Sequence, residues 1–77
     1  MDKQAILSQA FTAREEEVLQ YQINIDNFRL AIEKAKSDPD LVDFVVNLKS
    51  LLDSSVLEQK KAKIMLEVVK EQLEELQ

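Results

Sequence analysis

The sequence predicts an all-α protein: an antiparallel helical hairpin of two long helices that assembles into a four-helix bundle or larger helical oligomer. Three observations carry this expectation. The 77-residue chain has no glycine and one proline. Apolar residues recur at alternating spacings of four and three along both halves. One strong interruption, Ser37-Asp38-Pro39-Asp40, lies near the middle.

The missing glycines exclude structures that lean on positive φ, such as Asn-Gly hairpin turns and glycine-rich phosphate loops. With 45% hydrophobic and 32% charged residues, the chain is too apolar for a disordered tail. The mixture suits long amphipathic helices, and a chain this short holds one small helical domain, residues 1–77.

The first helix is expected over about residues 3–36. Its seam runs Leu7, Phe11, Arg14, Val18, Tyr21, Ile25, Phe28, Ile32 and Ala35. Spacings of four and three average 3.5, the repeat of a left-handed coiled coil. Lys34 and Lys36 suit the last turn, where cations oppose the negative end of the helix dipole. The turn covers residues 37–40. A residue before proline is pushed out of the α region, so Asp38 should be extended and able to cap the next helix, with Pro39 at its first position.

The second helix is expected over about residues 39–76. Its seam runs Leu41, Val45, Leu48, Leu52, Ser55, Gln59, Ala62, Leu66, Val69, Leu73 and Leu76. Ser55-Val56-Leu57-Glu58 matches a capping box, which allows a break near 53–55. The repeat passes through Ser55 in phase, which favours one continuous helix. A short connection between two helices makes them antiparallel neighbours. Arg14, Ser55 and Gln59 form a polar patch on the seam, and polar residues at such positions set register. Tyr21 is expected beside Ser55, large against small, with its hydroxyl in reach of Ser55 or Gln59.

A hairpin needs one apolar stripe per helix, and this chain has more. Leu19, Ile23 and Leu30 lie off the first seam. Phe44, Leu51 and Met65 recur on one flank of the second, and Leu57, Ile64 and Val68 lie nearer its back. A helix apolar beyond one stripe is buried on more than one side. These nine residues are the expected interface with a second copy of the chain, a homodimer being the simplest form, and with a protein partner.

The segment Glu58-Gln59-Lys60-Lys61-Ala62-Lys63 is strongly basic. Folding about Asp38 brings the acidic run Glu15-Glu16-Glu17 opposite it, so a ladder of interhelical ion pairs is expected. The alternative is an anion site, for a small anionic ligand or nucleic acid, built from Arg14, Lys60, Lys61 and Lys63. A formal net charge of −5 argues against general nucleic-acid affinity, which draws on phosphate neutralisation.

Catalysis finds little to use. There is no Cys and no His, so thiol, imidazole and ordinary zinc chemistry are excluded. No cofactor, metal or catalytic residue is expected. No apolar stretch reaches the roughly 18 residues of a membrane span. The start, with Asp2, Ser8 and Gln9, makes a poor signal peptide, and a cytoplasmic location is expected. The function these features point to is a non-enzymatic protein–protein interaction module, a self-associating hairpin serving as accessory regulator, inhibitor or assembly factor.

Overall fold

A computed structural model describes residues 2–77. Helix α1 spans Lys3–Ala35, a single 3₁₀ turn covers Pro39–Leu41, and helix α2 spans Val42–Glu75. The two helices pack along their length as a hairpin. The shape is a rod of 57 × 16 × 14 Å with a radius of gyration of 17.4 Å, where a globule of this length would have about 11–12 Å.

Local chemistry explains where each helix starts and stops. Asp2 is extended (φ −77°, ψ 113°), and its carboxylate accepts a hydrogen bond from the Gln4 N–H at 3.0 Å. That satisfies one of the four N–H groups a helix leaves unpaired at its start. Asp38 repeats the device: it is extended (φ −93°, ψ 113°), and its carboxylate accepts from the Asp40 N–H at 2.9 Å. Pro39 then occupies the first helical position, where its missing N–H costs nothing. The chain leaves α1 through right-handed conformations, with the Lys36 N–H bonded to the Ile32 carbonyl at 2.9 Å and the Asp38 N–H to the Ala35 carbonyl at 3.1 Å. Among the described residues none has positive φ, so this turn is built without the glycine that commonly ends a helix.

The seam follows the sequence pattern closely. In α1, all seam positions from Leu7 to Ala35 are buried or half-buried, and Ile25 is the most enclosed at 2% exposure. In α2 the same holds from Val45 to Leu73. Leu41 and Leu76, at the ends of the expected seam, are exposed. Leu41 belongs to the 3₁₀ turn before α2, and each lies at an end of the rod where no further layer closes over it. Helix α2 runs unbroken through Asp53-Ser54-Ser55. Ser55 is a buried seam residue, so capping a new helix there would sacrifice the packing on both sides of it.

The core is thin. Its buried apolar residues are Ile25, Ala35, Leu48, Ala62 and Val69. Two of the five are alanines, which let the helices approach closely but bury little surface. A fully buried aliphatic side chain contributes about 1.5–3 kcal/mol, so Ile25, Leu48 and Val69 supply most of what full burial yields here.

Candidate functional site

Gln59 anchors the middle of the rod. It is buried at 8% exposure, and its side-chain amide donates to the Val18 carbonyl at 3.2 Å and to the Gln22 Oε1 at 2.9 Å. These bonds fix the register of α2 against α1. Gln59, not Tyr21, is thus the residue that ties the polar patch together, and its partners are Val18 and Gln22. Arg14, the polar seam residue of α1, is half-buried, and its guanidinium donates to Glu17 on the same helix, 3.0 Å away.

Beside Gln59 lies an open groove of about 310 Å³, lined by Glu15, Val18, Leu19, Gln22, Gln59, Lys63 and Leu66. Its floor is apolar, and Glu15 and Lys63 stand on it from opposite helices. Of the expected charge ladder, this is the pair the register brings to one place. The ladder itself is not made. Arg14 pairs with Glu17, Lys36 with Glu33 and Lys61 with Glu58, each three residues apart on its own helix, and among the described residues no ion pair crosses the seam. The reason is angular. Successive helix residues are turned by about 100°, so Glu16 and Lys60 point away from the seam, and Lys61 lies on the flank opposite Lys63.

The same geometry describes the candidate anion residues. Lys60 and Lys63 are exposed and about 60° apart around α2, with Lys61 turned to the other flank. Arg14 and Lys61 are each already bonded to a glutamate. Among the described residues no group of three or more acidic side chains could hold a metal ion, and no helix is long and apolar enough to cross a membrane.

The nine off-seam apolar residues are all exposed, from 39% at Val68 to 61% at Ile64. Leu19, Ile23 and Leu30 form a stripe along the back of α1. Phe44, Leu51, Leu57, Ile64, Met65 and Val68 form a longer strip along α2. The structure adds Ile6, Val42 and Val46 to the exposed apolar residues. Val42 and Val46 stand four apart at the start of α2, a helical spacing that marks a shared face in the sequence itself. Into the α2 strip is set one ion pair, Glu58–Lys61, at 3.0 Å.

Compared with protein-family models, curated proteins and solved structures, the chain matches none.

Proposed function

We propose that this protein is a non-enzymatic interaction module: a self-associating helical hairpin that serves as an accessory regulator, inhibitor or assembly factor by docking its outer apolar faces on copies of itself and on a protein partner. The observation that carries the proposal is a surface larger than a globule's on which large apolar side chains stand exposed. The chain exposes 5863 Å², whereas a folded monomer of its 8.9 kDa mass typically exposes about 4,800 Å². The excess, about 1,000 Å², is of the size that each partner contributes to a standard protein–protein interface, about 800 Å². The exposed surface carries large aliphatic side chains repeating at helical spacing, a pattern that marks contact surfaces.

Sedimentation equilibrium with circular dichroism tests the proposal. The wild-type chain should sediment above its monomer mass. The double variant Leu51→Gln/Met65→Gln should return to the monomer mass with its helix content retained. A wild-type monomer at micromolar concentration that also fails to bind a hydrophobic dye would overturn the proposal.

A further inference from the structure

We infer that two copies of the chain pair through α2, antiparallel, about a two-fold axis lying between Gln59 and Lys60, so that Glu58 of each chain faces the partner's Lys61. The inference rests on the self-association proposed above and specifies its geometry.

Beside the seam α2 carries two further rows of positions seven residues apart. One holds Phe44, Leu51, Glu58, Met65 and Gln72, apolar at three of five positions. The adjacent row, three residues further on, holds Asn47, Ser54, Lys61, Val68 and Glu75 and is apolar at Val68 alone. Two such rows are what an antiparallel helix pair needs, with each residue of one row set against the other row of the facing helix. Inverting a second copy about an axis between Gln59 and Lys60 sets the two rows against each other. Leu51 meets the partner's Val68, Met65 meets the partner's Ser54 as large against small, and Asn47 meets the partner's Gln72, while at the outer ends Phe44 faces the partner's Glu75.

Charge selects a second copy as the occupant. The Glu58–Lys61 pair sits in the middle of the strip, with Leu51 and Leu57 on one side and Ile64, Met65 and Val68 on the other. A plainly apolar helix laid there would strip water from both ions and return nothing. An inverted copy supplies an ammonium to each carboxylate, giving a ring of four charges with zero net charge. Two-fold interfaces are self-complementary in this way.

The geometry also fits a bundle. At about 100° per residue, the two rows lie about 110° around α2 from the seam, close to the right angle between neighbouring sides of a four-helix square. On the same side of the hairpin α1 presents the row Ala10, Glu17, Asn24 and Ala31, all half-buried; the alanines leave room for the partner's α2, and Glu17, level with the axis, is already paired with Arg14. The stripe of Leu19, Ile23 and Leu30 lies on the far side of α1 and stays open in this dimer.

Charge reversal tests the register. Glu58→Lys alone sets two ammonium groups together twice across the axis, and Lys61→Glu alone sets two carboxylates together twice. Each single variant should dimerise at least about tenfold more weakly than wild type, because like charges facing each other oppose association. Mixed in equal amounts, the two variants should form a heterodimer of near wild-type affinity, since every facing pair is again opposite in sign. Circular dichroism of each variant reports whether the hairpin itself persists. As an independent readout, Ser54→Cys and Met65→Cys chains should form a mixed disulfide under mild oxidation, while Ser54→Cys alone, about 16 Å from its symmetry mate along the helix at 1.5 Å per residue, should stay unlinked. Single variants that dimerise like wild type, or a mixture that does not recover, would overturn this geometry while leaving self-association intact. A monomeric wild-type chain would overturn both.

Discussion

The Gln59 side chain donates to the main-chain carbonyl of Val18, 3.2 Å away on the other helix. A residue of α2 thereby reads the backbone of α1, which an apolar residue at the same position would leave unread. Because a polar seam residue penalises every register but the one that satisfies it, this contact sets the alignment of the hairpin. Gln59→Leu should keep or raise stability, within about 1 kcal/mol, since the Val18 carbonyl and the half-buried Gln22 amide lose one partner each without being sealed from water. The same variant should lose uniqueness of register, visible as broadened or doubled amide resonances for residues 15–25 and 55–65.

Ile25 is the most enclosed side chain, and its truncation tests how much of the fold rests on the thin core. Ile25→Ala should cost about 2–5 kcal/mol by urea unfolding, a large share of the roughly 5–15 kcal/mol that small domains possess.

Ala62 is 3% exposed and sits where the helices approach closely. Ala62→Leu should therefore destabilise, by about 1–3 kcal/mol, because the added atoms have no void to enter. A neutral or stabilising result in thermal unfolding would mean the seam is looser there than its burial implies.

Asp38 caps the second half of the hairpin through the Asp40 N–H. Asp38→Ala should lower stability by about 1 kcal/mol. Asp38→Ser should recover most of that loss, because a hydroxyl accepts the same bond. Paired thermal melts measure both.

Lys60 and Lys63 bear on whether the basic segment is more than a solvated surface. Lys60→Gln/Lys63→Gln should change stability by no more than about 0.5 kcal/mol. It should leave the assembly mass unchanged between low and moderate salt. Loss of a binding activity with fold and mass intact would instead identify these lysines as an anion site.

Much of this protein can be read from short-range patterns. The four-three spacing along residues 7–35 and 45–73 places one stripe of each helix inward, and those residues are buried or half-buried in the structure. Ser37 to Asp40 stops one helix and starts the next because proline restricts the residue before it and aspartate caps the new first turn, both effects acting within a few residues. The outward residues Leu19, Ile23, Leu30, Phe44, Leu51, Leu57, Ile64, Met65 and Val68 could be picked out by the same periodicity, since a residue's direction around a helix depends on nothing beyond its number.

What joins the two helices depended on both at once. Glu15 shares a groove with Lys63 and not with Lys61, Glu17 pairs with Arg14 on its own helix, and Gln59 finds Val18 and Gln22 and not Tyr21. A one-dimensional pattern says that charges of opposite sign lie in corresponding stretches, but a contact needs the right flank as well as the right height. At the Asp53–Ser55 stretch, too, a local capping signal competed with a helical one. Burial of Ser55 between the helices, a property of the pair and of neither alone, decided for continuity.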